Sequence, residues 1–412
     1  MSARPDAGTA RAADGRGGTF WDLAVALLVA TTASLPAFLV GTLAVQIRAS
    51  LGVGTAALGA IVAGYYLCAA STSVPAGHAA ERIGGIRVMR LTAIAGAALL
   101  VATGLLTRSM WLLAVLIACS GAVAGASAPA TNLFLARRIP AGWQGAAFGI
   151  KQAAVPLANL LGGLAVPVVA LTVGWRWGFV LAALFAAATA ASVPRARTPI
   201  AQRRRRRTPP VSLPPLVFLA AGLGLGMFAA SGLTAFAVLA AVRVGFSNGT
   251  AGLLAALGGA TAVVARVLIG FYADRSRRDR FAVATLMIMP GAAGYIALAV
   301  AMSTGSRWLF IGGLVVALGV GWGWNGLFNY GVVASYQSAP AKATAITQIG
   351  GRLGSVLGPF AVGVVVQQVS YQAAWLTAAA AALAAAAAIA AGMRLLRLHP
   401  ASASADRTRD GA

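Results

Sequence analysis

Apolar residues run along this chain in long blocks, not in the strict alternation of a half-buried strand or the narrow stripe of a surface helix. Almost uncharged stretches extend from Trp21 to Val45, Thr55 to Gly77, Val88 to Leu106, Trp111 to Leu135, Gly145 to Val173 and Trp177 to Val193. Six more follow, from Leu216 to Val242, Ala251 to Tyr272, Phe281 to Met302, Trp308 to Val333, Ala343 to Val369 and Ala373 to Met393. A bilayer core of roughly 30 Å is crossed by about 20 helical residues. The pattern therefore predicts an all-α integral membrane protein with twelve transmembrane helices. The first block is too long for the apolar region of a cleaved signal and is expected to be retained.

Polar residues between the blocks supply an orientation. Alternate loops on the side of the N terminus hold Arg82, Arg87, Arg90, Arg137, Arg138, Lys342, the arginines from Arg275 to Arg280 and the Arg203 to Arg207 run, whereas the opposite loops hold only Arg48, Arg108, Arg176, Arg243 and Arg307. Basic loops stay in the cytoplasm, so both termini are expected there, in a multi-pass protein of the plasma membrane. The basic, proline-rich stretch 195–214 reads as a cytoplasmic linker between an N-terminal half, 1–194, and a C-terminal half, 215–412. Its arginine run reads first as a positive-inside anchor and only second as a specific site for anionic lipid.

Composition agrees with a lipid-solvated chain: 59% of residues are apolar, 10% are charged and the mean hydropathy is +0.83. The net charge of +24 is accounted for by the loops, so no nucleic-acid partner is expected. Cys68 and Cys119 lie in apolar blocks and read as small packing residues. The two histidines, His78 and His399, form no cluster, and neither Lys151 nor Lys342 follows a phosphate-binding glycine loop. No metal, cofactor, catalytic residue or nucleotide-driven chemistry is predicted.

The halves read as a parallel repeat. Gly77 recurs as Gly270, Trp111 as Trp308, Asn132 as Asn329, Gln152 as Gln348 and Gly162 as Gly358, each at the same place in a six-helix unit. Transporters built this way bind their substrate between the repeats. After the second block comes Gly77-His78-Ala79-Ala80-Glu81-Arg82-Ile83-Gly84-Gly85-Ile86-Arg87, and after the eighth comes Gly270-Phe271-Tyr272-Ala273-Asp274-Arg275-Ser276-Arg277-Arg278. Both resemble the G-x-x-x-D-R-x-G-R-[KR] loop of the major facilitator superfamily. The resemblance implies two pseudo-symmetric six-helix bundles and a conformational latch at Gly77, Glu81, Arg82, Gly84, Gly270, Asp274 and Arg275. Glu81 in place of Asp, Gly85 and Ile86 in place of basic residues, and Arg277 in place of Gly depart from the pattern and weaken the first latch in charge.

Gly350, Gly354, Gly358 and Gly363 with Pro359 give the eleventh helix a small-residue face for close packing. The fifth carries Gly149, Pro156, Gly162 and Gly163 without the Gly-Pro pair of facilitator exporters, and the fourth has Ile117 where drug/proton antiporters place arginine. Both absences count against a drug exporter.

Buried charge points to the cargo. Lys151, Arg266 and Arg352 fall inside predicted spans, while Asp22, at the membrane edge, is the only acidic residue there. A cation at the bilayer centre costs about 2.5–3.5 kcal/mol and so faces a cavity and a partner. With no fixed carboxylate on offer, the expected partner is an anionic substrate. Arg352, about nine residues or roughly 14 Å into its span, is the first candidate; Lys151 and Arg266, nearer the cytoplasmic ends, are followed by Asn132, Gln152, Asn325, Asn329 and Gln348 as neutral donors and acceptors. Basic residues in the eighth and eleventh helices also resemble the anion site of the oxalate/formate exchanger. Thr131, Ser231 and Thr234 are further polar candidates, and Trp322, Trp324 and Tyr330 an aromatic wall. The expected protein is a monomeric transporter of a small organic or inorganic anion; the rivals are an efflux carrier for neutral or cationic amphiphiles and a non-transporting sensor.

Overall fold

The computed structural model describes residues 7–140, 144–195, 211–275, 279–337 and 339–398. Twelve helices are long and apolar enough to cross a membrane: Gly18–Thr42, Thr55–Ile83, Gly85–Leu106, Met110–Arg138, Gly149–Ala170, Trp175–Ser192, Leu213–Arg243, Asn248–Ile269, Arg280–Thr304, Arg307–Ser335, Lys342–Gln368 and Tyr371–Leu398, here spans 1 to 12. Among the described residues there is no strand. Twelve crossings put both chain ends on one side, called below the terminal face, with the far face opposite.

The repeat is visible in how helices begin. Ser109 caps span 4 by accepting from Leu112 N–H at 3.3 Å, and Ser306 caps span 10 by accepting from Leu309 N–H at 3.4 Å. Each serine stands two residues before its tryptophan, Trp111 or Trp308. A cap satisfies amide groups that a helix end leaves open.

One boundary differs from expectation. The first loop motif is not a turn over its whole length: Gly77 to Ile83 continue span 2 as helix, and the chain turns only at Gly84. Gly84 has φ +97°, a left-handed conformation that residues with a Cβ rarely adopt. The eighth helix likewise runs through Gly270 to Arg275. Apolar, good helix-forming neighbours simply extend the helix until a residue stops it.

Within each half, glycines bring backbones together. Added Cβ atoms at Gly350, Gly354 and Gly358 of span 11 would run into the carbonyls of Ala220, Gly224 and Phe228 on span 7, and those at Gly121 and Gly125 of span 4 into the carbonyls of Tyr65 and Ala69 on span 2. In lipid, where no hydrophobic force joins helices, such close packing supplies much of the association. Gly354→Val is accordingly expected to destabilise the protein by about 1–3 kcal/mol or more, the usual range for overpacking. The check is the midpoint of thermal unfolding in detergent, against Gly326→Val, whose Cβ has open space.

Three helix pairs join the halves. Span 1 meets span 7 where a Cβ at Gly41 would lie 2.8 Å from Thr234 O. Span 2 meets span 11 at Gly59 and Gly363, where an added Cβ would run into Pro359 O and Thr55 O, and Gln367 Oε1 accepts from Ala56 N–H at 2.9 Å. Span 5 meets span 8 at Gly163 and Gly259, where an added Cβ would run into Ala256 and Gly252 or into Pro156 O, and Asn159 Nδ2 donates to Ala255 O at 2.9 Å. The contacts of Gly41, Gly59, Gly363 and Gly163 lie toward the far face, and those of Gly259 and Asn159 near mid-span.

Candidate functional site

Of the three intramembrane cations, Arg266 and Arg352 bridge the halves and Lys151 does not. Span 8 presents Gly252, Ala256, Gly259 and Arg266 to span 5 at spacings of whole helical turns. Arg266 is thus the last of these contacts toward the terminal face. Its Nη1 donates to Gln152 O in the opposite half by a short hydrogen bond, and its Nη2 reaches Trp322 O at 3.5 Å. The guanidinium also lies 5.1 Å from the Trp322 ring, within cation–π range. Trp322 packs against Phe38 of span 1, with centroids 6.2 Å apart.

Arg352 does the same on the other seam. It sits near the middle of Pro340–Gln368, two helical turns from Pro359. Nη1 donates to Ala70 O at 3.0 Å and to Ser73 Oγ, both on span 2. Two of the three seams, spans 5 and 8 and spans 2 and 11, therefore each carry one arginine from the C-terminal half, bonded to neutral oxygens of the N-terminal half.

Lys151 stays within its own half. Nζ donates to Asn132 Oδ1 at 2.6 Å and to Ala128 O at 3.4 Å. In the other half Gln348 Nε2 donates to Asn329 Oδ1 at 2.9 Å, and in both cases the partners are 19 residues apart. One shift of 197 (132 to 329, 151 to 348) relates the pairs, so the structural counterpart of Gln348 is Lys151, not Gln152. Only the main chain of Gln152 engages, through the carbonyl that Arg266 bonds.

The amides of the C-terminal half form a chain. Gln348 donates to Asn329, Asn329 Nδ2 donates to Asn325 Oδ1 at 2.8 Å, and Asn325 Nδ2 approaches Met227 Sδ at 3.2 Å. Gln348 and Arg352 share one face of span 11, four residues apart. Asn132, Lys151, Asn325, Asn329, Gln348, Arg352 and Arg266 are all at least partly accessible.

Other candidates do not join them. Thr131, Ser231 and Thr234 are buried and bond carbonyls of their own helices, Ser127 O, Phe228 O and Ser231 O. The aromatic wall does not form: Trp324 is buried edge-on against Phe328, while Tyr330 points away under Arg280, 4.0 Å from its guanidinium carbon. Residues two apart on a helix point to opposite sides, so Trp322 and Trp324 diverge by position alone, and span 10 is in addition broken at Gly319 and Trp324.

At the first loop motif, Gly77 packs 3.7 Å from Pro129 of span 4, while Glu81 and Arg82 are exposed and have no partner among the described residues. In the second motif, the side chains of Gly270, Asp274 and Arg275 lie outside the described residues.

Among the described residues two ion pairs occur, Asp22–Arg138 at 2.8 Å and Asp279–Arg397 at 2.9 Å. Asp22, placed at the membrane edge by the sequence, joins the start of span 1 to the end of span 4. Neither pair involves Lys151, Arg266 or Arg352. No group of three metal-ligating side chains occurs among the described residues.

Several known structures share this architecture. A bacterial homologue of the human lysosomal transporter Spinster, inward-facing and unoccupied, superposes with a TM-score of 0.65 at 17% identity, over 92% of this chain and 96% of that one. A point mutant of the nucleoside transporter NupG gives 0.71 at 15% identity over 90% and 99%. A D-xylose-proton symporter gives 0.70 at 16% over 90% and 97%. No curated protein matches the chain by sequence. Residues 25–339 match the sequence model of the Major Facilitator Superfamily. A chain with twelve apolar helices among its described residues, arranged as two related bundles, thus belongs to the Major Facilitator Superfamily of small-solute transporters.

Proposed function

We propose that the protein carries a small organic or inorganic anion across the membrane by alternating access between its two halves. The observation that carries this reading is the set of three cations between or beside the halves, Lys151, Arg266 and Arg352, whose partners are all neutral oxygens. A cation surrounded by neutral acceptors is less stabilised than one facing a negative charge. An entering anion supplies that charge. The amide chain Gln348–Asn329–Asn325 offers donors and acceptors that orient a polar substrate without adding charge.

The contacts between the halves at Gly41, Gly59, Gly363 and Gly163 lie toward the far face, and Glu81 and Arg82 at the terminal face have no partner among the described residues, which together fit a state open toward the terminal face. The loop arginines put that face in the cytoplasm. Among the described residues no carboxylate or histidine is bonded to the cations to carry a proton, so exchange, uniport, or entry of the proton on the substrate itself is the expected mode of coupling. Asp22 is already held by Arg138.

The test is uptake into vesicles containing the purified protein, with carboxylates, inorganic anions, neutral sugars and lipophilic cations offered in parallel. Saturable uptake of one or more anions, competed by other anions but not by the neutral or cationic compounds, is expected. Saturable uptake confined to lipophilic cations or neutral amphiphiles would replace this reading with the efflux-carrier one.

A further inference from the structure

Span 5 is interrupted where it meets the tip of Arg266. The break falls at Ala153, between helical segments Gln144–Gln152 and Ala154–Ala165. Its cause lies one turn on. In a continuous helix the carbonyl of Gln152 accepts from the N–H of residue 156, and that residue is proline, which has no N–H and crowds the carbonyl four positions back. Ala153 N–H turns to Ile150 O at 3.0 Å instead, and Leu157 N–H resumes the helix on Ala153 O at 3.0 Å. Gln152 O thereby loses the helical donor that any residue other than proline would supply at position 156.

Arg266 takes that carbonyl. Its second contact, Trp322 O, lies in the other irregular stretch, between the breaks of span 10 at Gly319 and Trp324. A carbonyl has two lone pairs, and with no N–H at residue 156 both of those on Gln152 O are open to the guanidinium, whereas an engaged helical carbonyl shares itself with its ladder donor. Pro156 itself packs on Gly259, two turns along span 8 from Arg266, so the same proline sets both the backbone approach and the acceptor.

We propose that Pro156 is the positioning residue for Arg266. By withholding a donor from span 5 it ties the guanidinium to the opposite half, and the anion must compete with the Gln152 carbonyl for it. This rests on the reading of Arg266 as anion-facing. Binding and release of the seam are then one event: an anion that wins the guanidinium breaks the last contact between spans 5 and 8 on the terminal side.

Pro156→Ala returns the missing N–H, lets span 5 satisfy Gln152 itself and frees Arg266. In vesicles the variant is expected to lower KM for the transported anion about three- to tenfold, whereas Arg266→Gln raises it. The double variant P156A/R266Q should match R266Q alone. An α-hydroxy acid at position 156 lacks the N–H without having the ring, and should keep KM near that of the native protein. If P156A lowers KM equally in the R266Q background, or the ester variant behaves like P156A, the proline acts through backbone shape alone and the proposal is overturned. Spin labels at Ile150→Cys and Leu268→Cys give a readout that needs no substrate. P156A should broaden and lengthen their distance distribution only while Arg266 is present, and an unchanged distribution also overturns the proposal. Absence of any anion flux in the native protein would defeat the proposed cargo but leave this distance test standing.

Discussion

Replacing Arg352 with glutamine is expected to reduce anion uptake by roughly 10- to 150-fold, the equivalent of losing one charged hydrogen bond of about 1.5–3 kcal/mol in a dry site. Glutamine keeps a donor for Ala70 O and Ser73 Oγ and removes the charge, so the span 2–span 11 seam can still close. The loss should therefore appear in transport and not in folding. Arg352→Lys should recover only part of the activity. Its ammonium retains the charge but cannot serve two acceptors and an anion from one plane as a guanidinium does. The measurement is initial uptake rate against anion concentration, with the unfolding midpoint as control. Uptake unchanged in Arg352→Gln would remove this residue from the substrate path.

Gly163→Leu is expected to abolish uptake while leaving each six-helix half folded. A Cβ at this position already runs into Ala256 N and the carbonyl of Gly252 across the seam, and backbone atoms have no rotamer by which to yield. The side chain then wedges spans 5 and 8 apart at the point where the far face closes. Closing the seam against such a clash costs about 1–3 kcal/mol or more, enough to shift a two-state balance by a factor of roughly 5 to 150. Labelling of a cysteine placed at Gly249, which packs on Leu171 at the far end of this seam, should rise as uptake falls. Gly149→Leu, with open space around its Cβ, is the matched control and should transport normally. Full uptake by Gly163→Leu would mean that transport does not require the seam to close.

Much of this was legible in the chain. The twelve spans follow from apolar blocks of bilayer length, because solvation by lipid is a local requirement that each segment must meet by itself. The repeat was visible in Trp111 and Trp308 and in Asn132 and Asn329, since equivalent places in a duplicated fold ask for equivalent residues. The glycine face of span 11 announced a close helix contact, and span 7 is its partner. Lys151, Arg266 and Arg352 stood out because charge in an apolar block is rare and costly.

What the chain could not disclose was how those groups pair. Gln152 looked like the counterpart of Gln348 because the residue types match; the hydrogen bonds to Asn132 and Asn329 give that place to Lys151. Arg352 looked like a lone cation awaiting substrate. Folding places it on span 2, against Ser73 and Ala70, which are 279 and 282 residues away in the chain. Trp322, Trp324 and Tyr330 looked like one wall, and helical spacing points them in different directions. The loop motif looked like a loop, and all of it but Gly84 is helix. The single local clue to the Arg266 contact, Pro156 four residues after Gln152, named an acceptor but not its donor. Hydropathy, glycine spacing and proline act within a few residues and can be read one segment at a time. Pairing across the halves depends on which helices meet, at what depth and in what phase, and those are set only when the two bundles pack together.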